Sequence, residues 1–352
     1  MKSPINYVVE RKTRASQTGM LIALLGSALL VSLPFWAEAS LLRFLVEAMC
    51  YLVLAQMWNL LAGYGGLISI GQQAFVGIGA YGLFLAANHL GINPFISIFL
   101  GGLIAAIIAV PTAAVVFRLK GGYFAVGTWV VAEVYRLGAS NITLLGGGSG
   151  QSLTAMRGIP KATRESVTFW IAVAITIGFI GLMYWLLRSR FGMALTAIRD
   201  SEAASESQGI NVNKVKFYVF ILAAFGTGLV GALYYLNALR ISPTAAFDLN
   251  WVVFPIFIVV IGGIGTIEGP IIGTLVFFGM RSLLADYGSW YLMVLGLVAI
   301  VIMMKWPKGI WGTIQQRYNL RFFPVQRRVV LTDQSLKPDS TMPAAEPLSK
   351  PL

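Results

Sequence analysis

The sequence predicts an all-α integral membrane protein of about ten transmembrane helices, on three observations. Only 11% of the 352 residues are charged and 57% are hydrophobic, whereas a soluble domain carries about 25% charged residues. Mean hydropathy is +0.76. The apolar residues come in continuous runs of about 20, the length a helix needs to cross a bilayer. Barrel strands would alternate instead, and in hydrocarbon only helices or closed barrels pair every backbone group.

In chain order, residues 1–19 form a basic cytoplasmic arm, MKSPINYVVERKTRASQTG. Spans are expected at roughly 20–36, 41–61, 74–90, 95–117, 123–141, 166–187, 217–239, 251–265, 270–285 and 290–306. The first has no small-residue cleavage site closing it, so it reads as an uncleaved span. The eighth and ninth are short and joined by GGIGTIEGP, the pattern of broken helices that line cavities. Residues 20–310 therefore form the membrane domain. Residues 311–352 form a basic cytoplasmic tail, Pro/Ser/Asp-rich from about Leu331 and expected to be partly disordered.

Net charge is +12. In a soluble protein that balance would suggest nucleic acid, but here the cations follow the membrane rule that Lys and Arg collect on cytoplasmic loops. With both termini inside, all but seven of the 26 Lys and Arg fall on the inside. The seven are Arg43, Arg136, Arg157, Lys161, Arg164, Arg240 and Arg281. The lone cysteine, Cys50, lies in an apolar run and reads as a small hydrophobe. No His/Cys/Asp/Glu cluster has metal spacing, so no metal site is expected. There is no GxxxxGK[ST] phosphate loop and no nucleophile elbow, so no catalytic residue is expected.

Ionisable groups inside spans are expensive, and each is a functional candidate. Glu133 and Arg136 are three apart on one face: either a neutralised pair near a helix end or a polar lining of a translocation path. Arg43 and Glu47 read as a second local pair. Glu268 is expected in a solvated loop. Gln72 and Gln73 are polar at a depth where polarity costs energy, and bond either a substrate or a neighbouring helix. With Tyr123 and Thr128 in the glycine-rich RLKGGYFAVGTWVVAE they complete a candidate translocation path. An ion-coupled carrier needs a chain of buried acids or histidines, which this sequence lacks.

The longest expected inside loop, 188–216, contains RDSEAASESQGIN. Asp200 or Ser201 can cap a helix, Glu202 puts negative charge in its first turn, and Gly209 suits the left-handed position after its end. A helix of two turns is unstable alone in water. It needs a surface: the ends of its own spans or a partner.

FGMALTAIRDSEAASESQGINVNKVKFYVFILAAFGTGLVGALY resembles the signature of permeases of ABC importers in the branched-chain amino acid class, the LivM-like family. LLAGYGGLISIGQQAFVGIGAYG, RLKGGYFAVGTWVVAEVYRL, LGGGSGQSL and IGGIGTIEGPIIGTLVF carry the same resemblance, which spans roughly 45–315. It implies an ABC importer permease fold in a bacterial inner membrane, a second homologous permease subunit, two cytoplasmic ATPase subunits that bind the ATP, and a periplasmic binding protein. No cofactor is implied for this chain, and no enzymatic activity. The loop helix would then be the coupling helix docking on the ATPase, through Arg199, Asp200, Glu202, Ala203, Ala204 and Gly209. Two departures stand out. The wider permease motif is EAA-x3-G, but here four residues separate Ala204 from Gly209, unless Ala203-Ala204-Ser205 is the register. Relatives also often carry His at the position of Gln72. Leucine, isoleucine and valine are the implied substrates. Urea or short amides are the alternative within the class, and an ion-coupled secondary carrier the alternative outside it.

Overall fold

The structure, a computed structural model, describes residues 7–10, 14–284, 290–318, 322–323 and 328–331. Strand β1 (Tyr7–Glu10) precedes α1 (Arg14–Ser32) and α2 (Ala39–Asn59), which runs into a π-helical turn at Leu60–Tyr64. After the irregular stretch 65–72 come α3 (Gln73–Phe84), with its own π turn at Leu85–His89, α4 (Pro94–Val116) and α5 (Gly122–Asn141). A loop holding β2 (Gln151–Ser152) leads to α6 (Lys161–Arg188), α7 (Arg190–Asp200), α8 (Glu202–Ser207) and α9 (Val212–Ala238). Then follow β3 (Arg240–Ile241), α10 (Pro243–Ala246), α11 (Asn250–Gly262), α12 (Glu268–Leu283), α13 (Trp290–Lys305), α14 (Gly309–Tyr318) and β4 (Arg328–Leu331).

Local chemistry sets many of these boundaries. Asn93 caps α4, its side chain accepting from the Phe95 N–H at 2.9 Å, with Pro94 in the first helical position. Ser189 caps α7 and Asn211 caps α9 in the same way. Among the described residues, seven helical segments are long and apolar enough to cross a membrane. A total of ten requires α3 with its π turn, α5 and α12 to cross as well. These are shorter or carry charge: α12 has 16 residues, a rise of about 24 Å against a hydrocarbon core of about 30 Å.

The most buried spans, α2 and α9, form the centre. α9 packs on α3 and α4, and α2 on α6, α9 and α11. The α3–α4–α9 contact is made by glycines. A Cβ on Gly79 would lie 2.0 Å from the Gly228 carbonyl oxygen, and one on Gly231 would lie 2.1 Å from that of Val76. Only hydrogen fits at such crossings, which is how membrane helices gain close backbone contact. α1 and α13 are largely exposed, presenting Leu21, Leu25, Leu297 and Ile300 outward, as lipid-facing or partner-facing helices do.

Two ribbons sit outside the helices. β1 pairs antiparallel with β4, Tyr7 opposite Leu331, so the two terminal segments meet at one end. β2 pairs with β3, Ser152 opposite Arg240. Helix α1 begins within the expected arm, and α14 crosses the expected boundary at residue 310, with Trp311 buried. The stretch 332–352, expected to be disordered, lies outside the described residues.

Two expectations are corrected. Arg43 and Glu47 do not pair with each other: Arg43 reaches Glu165 of α6 at 3.5 Å, and Glu47 accepts from Arg281 of α12 at 2.7 Å. Both are one helical turn apart on α2, but α6 and α12 flank it and offer opposite charges that compete with the local partner. Glu268 is not in a solvated loop. It opens α12, is buried, and accepts the Phe323 N–H at 2.8 Å.

Candidate functional site

The 188–216 loop holds two short helices, α7 and α8, separated by the extended residue Ser201. α7 was not anticipated from the sequence; its apolar residues Leu195 and Ile198 are buried, while Met193, Arg199 and Asp200 are exposed. α8 matches the expected loop helix. Ser201 caps it, accepting from the Ala204 N–H at 3.3 Å. Glu202 lies in its first turn, and Gly209 follows at φ +81. It rests on its own chain through Ser205, which is buried, and through the ion pair of Glu202 with Lys216 of α9 at 2.5 Å. Ala203, Ala204 and Glu206 face away and are exposed.

Arg199, at the end of α7, ties this loop to the membrane helices. Its Nη1 donates to the Gly63 carbonyl at 3.0 Å, inside the π turn that ends α2. Its Nε and Nη2 hold Asp200, which is exposed. One turn back on α2, Asn59 grips the turn between α11 and α12 from both atoms of its amide. Nδ2 donates to the Thr266 carbonyl and Oδ1 accepts from the Gly265 N–H, each at 2.8 Å. Gln56, a further turn back, donates to the Ile267 carbonyl at 2.8 Å. Gly265 holds φ +74, and Gly63 could not carry a Cβ, which would meet Asn59 Oδ1 at 2.2 Å. A cleft of about 410 Å³ lies beneath this junction, lined among others by Tyr64, Arg188, Thr196, Arg199, Thr266 and Glu268. Gln56 and Asn59 were missed in the sequence. The available signal was two amides three residues apart inside an apolar span.

The other candidates fall in two places. Gln72 and Gln73 are buried at the start of α3. Gln72 Oε1 accepts from Thr227 of α9 at 2.9 Å, while Gln72 Nε2 and Gln73 Oε1 have no partner among the described residues. Thr128 is buried too and accepts from the Ile70 N–H at 3.2 Å, fixing α5 against the stretch 65–72. Tyr123 and Glu133 instead lie on the outer face of α5 in one stripe with Val126, Val130 and Leu137, all exposed. Arg136 Nε donates to both Glu133 oxygens at 2.9 Å. The five residues do not line one channel within this chain. Among the described residues no three His, Cys, Asp or Glu side chains come together.

A many-spanned helical bundle with non-helical breaks inside it and a capped helix projecting from one end defines a multi-pass permease of the inner membrane. The chain belongs to the family described as "Branched-chain amino acid transport system / permease component", which it matches over residues 40–303. It is 27% identical over 331 residues to the Escherichia coli K12 high-affinity branched-chain amino acid transport system permease protein LivM, covering 86% of this chain and 76% of that one. It is 24% identical over 245 residues to a probable LivM of Methanocaldococcus jannaschii, covering 63% and 69%. A shorter stretch of 142 residues is 30% identical to the ribose import permease protein RbsC of Haemophilus influenzae, covering 39% and 43%. No solved structure matches the chain significantly.

Proposed function

We propose that this chain is one of two similar permease subunits of an ATP-driven importer of leucine, isoleucine and valine, with α8 as the helix on which a cytoplasmic ATPase docks. One observation carries the reading: α8 offers Ala203, Ala204 and Glu206 to the outside while Arg199 binds its base to Gly63 of α2. A push on α8 would thereby reach α2 and, through Asn59, the α11–α12 turn. The end bearing α8 is cytoplasmic by the charge rule. ATP is bound by the ATPase partners, and this chain needs no cofactor of its own. The exposed stripe of α5, from Tyr123 to Leu137, faces the second permease, so the path runs between the subunits. The branched-chain substrate is supported by the relatives along most of the chain. The ribose permeases, matching less than half, show that related sequences serve other solutes. A periplasmic binding protein then supplies the choice of solute.

The test is purification in mild detergent from the native host, followed by reconstitution. The expected result is co-purification of an ATPase and a second permease, and uptake of radiolabelled leucine that requires ATP and a binding protein. Uptake by this chain alone, without ATP, would overturn the reading in favour of a carrier.

A further inference from the structure

The cleft beneath the Arg199–Gly63 junction holds about 410 Å³, within the range of about 300–1,000 Å³ common for small-molecule sites. Its lining combines an apolar wall with one charge of each sign. Leu187, Ile267 and Phe323 supply the wall, Arg188 the cation and Glu268 the anion. The cleft belongs to the end that bears α8, which is cytoplasmic by the charge rule.

The two charges are held in one frame and do not meet each other. Arg188 Nη1 donates to the Tyr184 hydroxyl at 2.6 Å, and the guanidinium lies over the Tyr184 ring, 5.1 Å from its centroid. A guanidinium has five N–H donors, so this bond fixes Arg188 without exhausting it. The same tyrosine ring meets that of Phe323 edge-on at 5.7 Å, and the Phe323 N–H donates to Glu268 Oε1 at 2.8 Å. Glu268 stands in the first turn of α12, where the helix dipole favours negative charge. Arg188, Tyr184, Phe323 and Glu268 therefore form a continuous chain of contacts that sets a cation and an anion on one apolar cleft. Fixed groups of this kind bind without first losing side-chain freedom.

The cleft also straddles two elements. Thr196 and Arg199 reach it from α7, and Thr266 from the turn between α11 and α12. Both elements are tied to α2, one through Arg199 on Gly63 and the other through Asn59 on Thr266. A molecule in the cleft would touch both and oppose their relative movement.

We propose that this cleft binds a free amino acid from the cytoplasm and that the bound amino acid slows import. Its carboxylate pairs with Arg188, its ammonium with Glu268, and its aliphatic side chain lies along Leu187, Ile267 and Phe323. This rests on the importer reading above and makes the delivered solute a brake on its own uptake. A ligand shifts a conformational equilibrium only by its preference for one arrangement, and contact with both α7 and the α11–α12 turn is the source of that preference. An analogue lacking either charge leaves the facing group without a partner, which costs binding.

The test uses the whole complex in proteoliposomes, with ATP inside, binding protein and radiolabelled leucine outside, and unlabelled leucine inside or absent. Luminal leucine should lower the initial uptake rate about fivefold or more. Luminal 4-methylpentanoate, which lacks the ammonium, and 3-methylbutylamine, which lacks the carboxylate, should leave it near the leucine-free rate. In Arg188→Gln the ratio of rates with and without luminal leucine should approach one. Glu268→Gln, which keeps an acceptor for the Phe323 N–H, should do the same and guards against misfolding of the first variant. ATP-dependent uptake indifferent to luminal leucine would overturn the brake alone. Inhibition that persists undiminished in both variants would place the leucine in the translocation path and overturn the cleft. A phosphatidylethanolamine headgroup carries the same pair of charges, so vesicles are made with and without that lipid. Equal inhibition in both supports the amino acid, whereas a rate set by the lipid and not by leucine assigns the cleft to a headgroup and overturns it. Wild-type uptake that needs neither ATP nor binding protein would overturn the importer reading, and the brake with it.

Discussion

Arg199 and Gly63 are 136 residues apart in sequence, yet the guanidinium of one donates to the carbonyl of the other at 3.0 Å. The carbonyl is free to accept because it lies in a π turn at the end of α2, where the regular helical ladder stops. The same residue holds Asp200 at the entrance to α8. One side chain thus joins a membrane helix that has lost its regular pairing to the loop helix outside it.

If that junction transmits force, Arg199→Gln should separate hydrolysis from transport. A hydrogen bond from a charged group contributes about 1.5–3 kcal/mol, reduced here because Arg199 is partly exposed. Uptake per ATP hydrolysed should fall about tenfold, the equivalent of about 1.4 kcal/mol, with ATPase activity and assembly retained. Equal loss of hydrolysis and uptake would mean that Arg199 holds the complex together instead.

Ala203 and Ala204 are exposed on α8. Ala203→Arg or Ala204→Arg should therefore change the stability of this chain by no more than about 0.5 kcal/mol. It should nevertheless abolish co-purification of the ATPase and all uptake. Membrane insertion, read by fractionation and protease protection, should be normal. Wild-type uptake in either variant would remove α8 from the coupling role.

What the sequence revealed and what it hid divide along the range of the interactions. α8 was legible because its signals are local: Ser201 as cap, Glu202 in the first turn and Gly209 beyond the end all lie within nine residues of one another. The long apolar spans were legible for the same reason. The partners of Arg43 and Glu47 were not, because the i,i+4 rule sees one helix and the winners, Glu165 and Arg281, come from two others. Glu268 looked solvated between glycines, but the chain returns at Phe323 to cover it. The grip of Asn59 on the α11–α12 turn joins residues more than 200 apart, beyond any pattern of spacing.

The glycine crossings give a stability contrast. Gly79→Ala would place a Cβ 2.0 Å from the Gly228 carbonyl oxygen, whereas a Cβ at Gly178 in the middle of α6 meets nothing within 4 Å. Overpacking of this kind costs about 1–3 kcal/mol. Gly178→Ala should be neutral or gain up to about 1 kcal/mol from helix propensity. Thermal unfolding in detergent should show a clear drop for the first variant and none for the second. Equal behaviour would mean that α3 and α9 do not cross as closely as described.

The C-terminal segment should divide functionally near Leu331. Phe323 donates its N–H to Glu268 and its ring meets Tyr184, while Phe322 stacks on Trp311 at 5.2 Å. Deleting 332–352, a stretch too polar to bury a core, should leave expression and uptake near wild type. Deleting 322–352 should expose Trp311 and leave the buried Glu268 carboxylate without its donor, a loss of about 1–3 kcal/mol. Reduced yield and a lower unfolding temperature should follow only in the second deletion. The reverse order would assign the last residues a docking role.

Glu133 decides between two kinds of energy source. It is exposed on α5 and its charge is met by Arg136, so it is neither buried nor alone, as a proton-carrying acid in a membrane commonly is. In an ATP-driven importer its role at a subunit face is geometric. Glu133→Gln should then keep the hydrogen-bonding shape, lose the charge, and lower uptake by about two- to threefold, less than 1 kcal/mol. In proteoliposomes an imposed proton gradient should change neither wild type nor variant. Complete loss of uptake with intact assembly, together with a gradient response in wild type, would assign the driving force to the ion gradient and make Glu133 its carrier.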